Sequence, residues 1–398
     1  MEILVLENGY VITPYRMIKN GVVVIENGKI RSVGGKDEVE IPANSWRIDV
    51  KGNIVAPGFI DIHVHGGGGA DTMDATYEAL NTISITHAQG GTTALIPATV
   101  SAPLENMVNA INAVREAMSK GVKGAKILGI HIEGPYISVE QKGAHDERFI
   151  RSPSKEEVEE LLKHLDVIRI ITAAPEIKGG LEFGRTMSSK GVLMSIGHSN
   201  ATIYDVLKAV EAGYKHVTHI YSGCSIVRRI RAYRYPGVVE AAYLIDDLTV
   251  EMIADGKHLP PYLMKLVLKN KGLDKVCIVT DAMRAAGLPP GKYKLGPIEA
   301  IVDEGVAWLP DRSAFAGSVA KMNTMIKVLV NDVGLTLQDA IRLASINPAK
   351  IIGINDSKGS LAPGKDADVV IMDREFNILM TVVEGRIVYR NKELFPEE

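Results

Sequence analysis

The chain has 398 residues, a hydrophobic content of 46% and a formal net charge of −3. This length suffices for one large α/β domain with a smaller companion, and the weak charge gives no sign of binding to nucleic acid or to a membrane surface. Two cysteines, Cys224 and Cys277, are too few for a disulfide framework. The N-terminus lacks a basic and apolar leader and no apolar run reaches ~18 residues, so we expect a soluble cytoplasmic protein.

Short apolar runs joined by turns occupy both ends of the chain. Near the N-terminus, Asn27 and Gly28 separate two such runs, which predicts a β-hairpin. The C-terminal segment has the same pattern of β-prone runs. We therefore predict that residues 1–56 and 356–398 form one small β-sheet domain assembled from both termini.

Residues 57–355 alternate apolar strands with amphipathic helical stretches, which predicts a parallel sheet with helical crossovers. Helices are predicted between the strands, for example at Thr76–Gln89, Leu104–Lys120 and Lys155–Leu165. Eight candidate strands are present, and eight is the number that closes an α/β barrel of the (β/α)8 TIM type. The predicted strands are Phe59–His65, Thr92–Ala98, Ile127–Glu133, Ile168–Ala174, Val192–His198, His216–Tyr221, Val250–Asp255 and Val276–Asp281.

His63 and His65 stand at the end of the first predicted barrel strand, just before four glycines. Side chains two positions apart share a face of a strand, so both imidazoles are predicted to point the same way. Two converging imidazoles make a natural metal chelate. The alternative is a pair of polar residues with ordinary hydrogen bonds. The choice depends on whether other strands supply ligands at equivalent ends.

Other predicted strands end on comparable residues. The third strand ends at Glu133, the fifth at His198, the sixth near His219 and the eighth at Asp281, while His258 follows the seventh. Catalytic residues of such barrels lie at the C-terminal ends of strands. A hydrophobic core gives no reason to place scarce histidines at matching strand ends. The pattern therefore predicts a metal site at this end of the barrel.

Two further histidines are predicted to lie apart from the ligands. His131 shares a face with Glu133 but sits one layer deeper, which indicates a core or supporting role. His216 is predicted to face away from His219, toward the helical layer.

Several short motifs run through nearly the whole chain in a fixed order. They are Pro57-Gly58-Phe59-Ile60-Asp61 with His63-x-His65-Gly66, Gly90-Gly91-Thr92-Thr93, His131-Ile132-Glu133-Gly134-Pro135, Gly197-His198-Ser199, Thr218-His219, Ile253-Ala254-Asp255-Gly256-x-His258, Thr280-Asp281-Ala282-Met283, Ala316-Gly317-Ser318 and Gly359-Ser360-Leu361-x-Pro363-Gly364-Lys365-x-Ala367-Asp368. Taken together, these motifs resemble the N-acetylglucosamine-6-phosphate deacetylases of the amidohydrolase superfamily. The resemblance implies a TIM barrel flanked by a small β-sandwich built from both termini, a homodimer, and hydrolysis of an acetamido group on a sugar phosphate.

The resemblance also implies a ligand set for one or two divalent ions per chain. Glu133, His198 and His219 would bind one ion. His63 and His65, together with Glu133 and Asp281, would hold a second. Imidazole and carboxylate ligands suit zinc and iron alike, so the metal stays open between these two.

The resemblance further implies roles in catalysis and in substrate binding. Asp281 would take a proton from the attacking water and deliver it to the leaving amine. His145 would hold or polarise the acetamido carbonyl. The implied substrate-binding residues are His145, Ser222, Gly223, Arg234 and His258.

One segment departs from the family pattern, directly after His219. Ser222 stands where the relatives usually have asparagine, the loop is longer, and Arg228, Arg229 and Arg231 precede Arg234, which aligns with the family arginine. We predict that this loop closes over an anionic substrate, because guanidinium groups fit phosphate or carboxylate. The alternative is a solvated basic loop.

The leading functional hypothesis is a metal-dependent deacetylase acting on an N-acetylated amino-sugar 6-phosphate, foremost N-acetylglucosamine 6-phosphate. A second hypothesis keeps the chemistry but changes the substrate to N-acetylgalactosamine 6-phosphate or another N-acylated or N-substituted anion. A third is a non-catalytic assembly protein on the same barrel, which would have no need of five intact ligand positions and Asp281. The only partners expected are a small-molecule sugar phosphate and a second copy of the chain.

Overall fold

The structure is a computed structural model in which residues 3–396 are described. Residues 1, 2, 397 and 398, which belong to the predicted terminal domain, lie outside the described residues. Within this range, no helix is both long and apolar enough to span a lipid bilayer.

Eight parallel strands alternate with helices through the middle of the chain, so the predicted α/β class is confirmed. The first two strands pair with each other, and the third to eighth pair in sequence order. Isolated bridges from Ala98 to His131 and from Val64 to Ala282 join these two runs into a closed barrel. The barrel strands are Phe59–Val64, Thr92–Pro97, Ile130–Glu133, Ile168–Ala173, Leu193–Ile196, Tyr214–Val217, Thr249–Ile253 and Val276–Val279.

All the predicted strands differ from the observed ones by a residue or two at their ends, and two of them differ by more. The stretch predicted as Ile127–Glu133 divides into Lys126–Ile127 and Ile130–Glu133, because Gly129 takes a φ of 148° between them. The sixth strand, predicted at His216–Tyr221, instead spans Tyr214–Val217. His219 therefore lies beyond the strand, in a turn.

Helices surround the barrel and bury an apolar face against the strands. The prediction at Leu104–Lys120 is confirmed to the residue, whereas the predicted Lys155–Leu165 is α-helical only to Leu161. Ser154 caps that helix, because its hydroxyl accepts from the backbone of Glu157. The α-helices are Tyr77–Ala88, Leu104–Lys120, Lys155–Leu161, Gly180–Ser188, Ile203–Glu211, Val238–Leu244, Pro261–Lys271, Met322–Val328, Leu337–Ala344 and Ile346–Ile351.

Short helical turns and short additional strands lie between the main elements of the barrel. The turns are Thr72–Asp74, Val139–Gln141, Glu147–Phe149, Leu162–His164, Leu273–Lys275 and the π-type Leu329–Val333. The additional strands are Gly66–Gly67, Ala70–Asp71, Lys126–Ile127, Arg228–Ile230, Tyr233–Tyr235, Gly291–Leu295, Ile298–Asp303 and Val306–Trp308.

Strands from both ends of the chain form a second, eight-stranded sheet. The predicted hairpin at Asn27 and Gly28 is confirmed, and Ile54–Pro57 pairs antiparallel with Val369–Met372, which joins the two ends. One apolar cluster, separate from the barrel core, takes side chains from both ends. The strands of this sheet are Ile3–Ile12, Met17–Glu26, Lys29–Gly35, Trp46–Asp49, Ile54–Pro57, Val369–Met372, Ile378–Val383 and Arg386–Arg390.

Candidate metal centre and active site

Glu133, the last residue of the third barrel strand, lies among four imidazoles. Its Oε1 is 2.8 Å from His219 Nε2 and 3.1 Å from His198 Nε2. Its Oε2 is 3.1 Å from His65 Nε2 and 3.4 Å from His63 Nε2. Only 1% of Glu133 is exposed, so this carboxylate is shielded from water. Histidines from three distant parts of the sequence thus meet at one buried acid.

Asp281 closes the same cluster from the eighth strand. Its Oδ1 lies 3.1 Å from His65 Nε2 and 3.7 Å from His63 Nε2. The described residues contain four groups with ligand atoms within 4.8 Å of one another. Two of them overlap at His63, one with Glu133 and His219 and the other with His65 and Asp281. A third unites Glu133, His145 and His198, and the fourth unites His63, His131 and Glu251.

The outer ring nitrogens of three histidines contact backbone carbonyl oxygens. The Nδ1 atom of His65 is 3.3 Å from Ala98 O, that of His198 is 2.8 Å from Gln141 O, and that of His219 is 2.9 Å from Ser222 O. A carbonyl oxygen only accepts, so each Nδ1 carries the proton. Each ring therefore directs Nε2 toward Glu133, and Nε2 is the nitrogen that would bind a cation in place of a proton.

The backbone is strained at three of these residues. The backbone φ angles of His198, His219 and Asp281 are 46°, 26° and 47°. Residues other than glycine rarely adopt positive φ angles of this kind. All three follow a strand end, where the chain must turn sharply to aim the side chain over the barrel. Such strain concentrates at functional sites and costs about 1–3 kcal/mol per residue.

The cluster fits a divalent cation. His63 Nε2 is buried and makes no hydrogen bond in the described part of the chain, although it faces both carboxylates. Imidazole nitrogens and carboxylate oxygens in this number are a donor set that zinc or iron accepts. The chemistry of the residues present therefore agrees with a divalent metal.

Electrostatics at the cluster favour positive charge between the carboxylates. Burial alone would lower the pKa of His65, but Asp281 and Glu133 outweigh it and raise this pKa to about 9. Burial would raise the pKa of Asp281, but the neighbouring histidines, His65 first, lower it to about 2. The pKa of Glu133 is likewise held well below its usual range, against the effect of burial, by His63 and the other histidines. Both carboxylates are thus ionised at neutral pH.

His145 borders the cluster in a defined tautomer. The backbone N–H of Ser101 donates to its Nδ1 over 3.0 Å, so this nitrogen accepts and the proton of the neutral ring lies on Nε2. Burial, and secondarily the charge of His198, lowers the pKa of His145 to about 4, so the ring is neutral at pH 7. His145 Nε2 lies 3.6 Å from Glu133 Oε2. The structure therefore aims an N–H donor at the site.

A pocket of about 180 Å³ lies directly above the cluster. Of the predicted substrate-binding residues, four border it, and none of its lining residues is lysine or arginine. His258 is oriented by Asp255, whose Oδ2 is 2.8 Å from His258 Nδ1, and its ring lies against Phe315. The lining includes His65, Val100, Glu133, Gly143, Ala144, His145, His198, His219, Ser222, Gly223, His258, Asp281, Leu295, Ala314, Phe315 and Gly317.

Arg234 is the predicted substrate-binding residue that does not border this pocket. It lies on an exposed two-stranded hairpin formed by Arg228–Ile230 and Tyr233–Tyr235. Within the described part of the chain, its guanidinium donates only to Ala232 O, at 3.0 Å. The hairpin is tied to the loop after His198, because Arg228 donates to the backbone oxygen of Asn200 over 2.9 Å. Arg234 therefore does not line the pocket of its own chain, and its contact with the substrate stays a prediction.

His131 and His216 lie outside the group of predicted metal ligands. His131 is buried and lies deeper, with Nε2 2.7 Å from Thr172 Oγ1, as predicted. The prediction that His216 faces the helices is wrong. Its Nε2 lies 3.3 Å from Glu251 Oε1 inside the barrel.

Sequence reasoning missed Glu251 and Ser101. Glu251 is fully buried in the seventh strand, and its Oε2 lies 2.9 Å from His63 Nδ1. A single acid between apolar residues of a barrel strand was a usable signal, because a buried carboxylate needs partners. Ser101 carried no comparable signal, because it acts through its backbone N–H.

Comparison with known proteins agrees with this architecture. The sequence model of the amidohydrolase family matches residues 54–388. This range contains the whole barrel and every residue of the cluster.

Individual relatives show which family within the amidohydrolases this chain resembles. N-acetylglucosamine-6-phosphate deacetylase of Bacillus subtilis (strain 168) is 35% identical, over 98% of this chain and 98% of its own length. The crystal structure of N-acetylglucosamine-6-phosphate deacetylase from Pasteurella multocida has a TM-score of 0.91 at 32% identity, covering 98% of this chain and 100% of that one. A mutant of the Mycobacterium smegmatis deacetylase in complex with N-acetyl-D-glucosamine-6-phosphate has a TM-score of 0.88 at 30% identity, with coverage of 98% and 100%. The chain therefore belongs to the amidohydrolase superfamily and, within it, to the N-acetylglucosamine-6-phosphate deacetylase family.

Proposed function

We propose that the protein hydrolyses the acetamido bond of N-acetylglucosamine 6-phosphate and releases acetate and the amino-sugar phosphate. The observation that carries this proposal is the buried cluster of Glu133, Asp281 and four histidines beneath a pocket, in a chain that belongs to a deacetylase family. A non-catalytic assembly protein would not need strained backbone at three strand ends to keep such a cluster.

We assign the metal ligands in two groups. Glu133, His198 and His219 would hold one ion, and His63 and His65 would hold a second with Glu133 and Asp281. The ion would be zinc or iron, and when bound it would supply polarisation of the amide carbonyl and a lower pKa for a nearby water.

Asp281 is the residue that moves protons in this proposal. The pocket is lined by two carboxylates, Glu133 and Asp281, and Glu133 is already surrounded by four imidazoles. Asp281 is ionised at neutral pH and borders the pocket, so it can accept the proton of the attacking water. It then returns that proton to the leaving amine nitrogen.

His145 stabilises the charge that develops on the acetamido oxygen. Its Nε2–H is fixed by the bond from the backbone of Ser101 to Nδ1. A donor preset in this way needs no reorganisation when the oxygen becomes negative. Ser222, Gly223 and His258 line the same pocket and are proposed to contact the sugar.

The phosphate requires a cation from outside this pocket. Arg229 and Arg234 are directly paired across the hairpin strands, an arrangement that is unfavourable for like charges unless an anion lies between them. The hairpin also exposes Ile230 at 42% and Tyr233 at 71%, which favours contact with another surface. We propose a homodimer in which the hairpin of one chain brings Arg234 to the pocket of the other.

We further propose that residues 1–56 and 356–398 form a composite β-sandwich domain beside a hydrolase domain of residues 57–355. The separate apolar cluster of the terminal sheet supports this division. Lys358 stabilises the terminal sheet from inside, because its buried ammonium lies 2.7 Å from Asp368 and 2.9 Å from Asp366.

A substrate panel tests the function. Purified protein loaded with zinc or iron should release acetate from N-acetylglucosamine 6-phosphate with a higher kcat/KM than from N-acetylgalactosamine 6-phosphate or unphosphorylated N-acetylglucosamine. Removal of metal by a chelator should abolish turnover, and addition of the metal should restore it. A higher kcat/KM on another N-acylated anion would reassign the substrate, and no hydrolysis of any member would refute the deacetylase function.

Subunit complementation tests the dimer. Asp281→Asn and Arg234→Ala chains, each impaired as homodimers, should regain activity when mixed under conditions of subunit exchange. One site of the mixed dimer then has an intact Asp281 and receives an intact Arg234 from its neighbour. Absence of recovery in a confirmed mixed dimer would show that Arg234 acts within its own chain or not at all.

A further inference from the structure

Glu251 is a buried carboxylate that touches two of the proposed metal ligands without facing the pocket. It lies in the middle of the seventh barrel strand with no exposed surface. Its Oε2 is 2.9 Å from His63 Nδ1 and accepts the backbone N–H of His219 at 3.2 Å. Its Oε1 is 3.3 Å from His216 Nε2. One acid thus links strands one, six and seven beneath the cluster.

His63 differs from the other ligand histidines in what its outer nitrogen contacts. His65, His198 and His219 each present Nδ1 to a neutral backbone oxygen, whereas His63 presents it to the carboxylate of Glu251. A carboxylate acceptor fixes the Nδ1–H tautomer and makes Nε2 a stronger electron donor than a carbonyl acceptor does. The Nε2 atom of His63 is also the buried nitrogen of the cluster that lacks a hydrogen bond.

We propose that Glu251 is a positioning residue that prepares His63 as a metal ligand and ties it to the backbone of His219. The two ligand groups are thereby held in one arrangement before any ion binds. Glu251 acts through His63 and touches neither substrate nor the reacting atoms. This inference rests on the ligand assignment made under the proposed function.

The isosteric substitution Glu251→Gln tests the proposal, because an amide oxygen can keep the bond to His63 while the charge is lost. Metal affinity is measured on the whole protein by competition with a chelator, and elemental analysis gives the ions retained per chain. We expect affinity to fall roughly tenfold to a hundredfold, the range seen when partners of ligand histidines are changed. The absorption spectrum of the cobalt-substituted protein should shift, because a ligand has altered its donor strength.

Glu176→Gln is the matched control. Glu176 is a partly buried carboxylate that accepts from Ser199 Oγ at 2.8 Å and from the backbone of Asn200 at 2.5 Å, beside the loop that carries His198. It contacts no ligand histidine, so its replacement should leave metal affinity and the cobalt spectrum unchanged. Loss of affinity in both variants would overturn the proposal by showing a general effect of removing acids near the barrel end.

A double variant distinguishes positioning from a structural role. If Glu251 acts through His63, Glu251→Gln should weaken metal binding much less in a His63→Asn background than in the native chain. Equal losses in both backgrounds, or native affinity in Glu251→Gln, would overturn the proposal. Failure of the deacetylase assay in a native chain that binds metal would instead refute the proposed function and leave this measurement intact.

Discussion

The arginine hairpin lies in sequence between His219 and Asp281 of the histidine cluster, but the two regions differ in how completely their side chains are partnered. Glu133 is 1% exposed and its two oxygens both have imidazole partners. Tyr233 on the hairpin is 71% exposed, and among residues 3–396 the guanidinium of Arg234 donates only to a neighbouring backbone oxygen. All the residues of the histidine cluster therefore come from one chain. Anion recognition, in contrast, is proposed to depend on a second chain that covers the hairpin.

The largest effect is expected inside the cluster, from Asp281→Asn. An amide cannot accept the proton of water, so kcat should fall by ~10²–10⁴ while KM changes little. Steady-state kinetics with parallel metal analysis measure this. Near-normal turnover in a variant with its metal bound would place the base elsewhere.

A substitution in the hairpin should weaken substrate binding rather than slow turnover. Loss of a charge-assisted contact costs about 1.5–3 kcal/mol, so Arg234→Ala should raise KM for the phosphorylated sugar by roughly 10–150-fold. The unphosphorylated sugar should be unaffected. Arg231→Ala, in the turn of the same hairpin, is the control for charge alone. Equal losses on both sugars would remove the hairpin from phosphate recognition.

A smaller effect is expected from a substitution in the same hairpin that weakens assembly of the dimer. Ile230→Asp places a charge on a side chain that is 42% exposed in one chain and would be covered in the dimer. We expect the dimer dissociation constant to rise roughly tenfold, because burying a charge is unfavourable. Sedimentation across a concentration series measures this. An unchanged dimer would mean that the copies associate through another face.

The smallest effect is expected from Ser101→Ala. The hydroxyl lies 2.9 Å from His145 Nδ1, but the backbone N–H also donates to this nitrogen and survives the substitution. At most one side-chain hydrogen bond of about 1 kcal/mol is lost, so kcat should fall less than about tenfold. His145→Gln in the same assay is the comparison, since it removes the ring itself. A loss in Ser101→Ala as large as in His145→Gln would assign the tautomer control to the hydroxyl.

Much of the barrel could be predicted from the alternation of apolar strands and amphipathic helices along the sequence. Buried parallel strands are apolar runs bounded by turn residues, so the predicted Phe59–His65 and Thr92–Ala98 match the observed strands within one residue at their ends. The sixth strand was misplaced, because Val217, Ile220 and Tyr221 are β-prone residues that could continue it. Only the strained turn at His219 reveals where the strand stops.

The partners of the ligands were harder to predict than the ligands. His63 and His65 share a face by the two-residue period of a strand, and this period is local. Glu251 meets His63 only after the barrel closes, across 188 positions of sequence. The backbone N–H of Ser101 sets the tautomer of His145, and this role cannot be recognised from the residue type.

The amino-acid sequence by itself determined the α/β class, the order of the strands and the residue types at their C-terminal ends, because each depends on local periodicity and turn chemistry. Tertiary structure decided which nitrogen of each imidazole faces Glu133, that Glu251 supports His63, and that Arg234 stands outside the pocket of its own chain. Those outcomes depend on distances between strands, which are set by closure of the barrel and by burial rather than by neighbours in sequence.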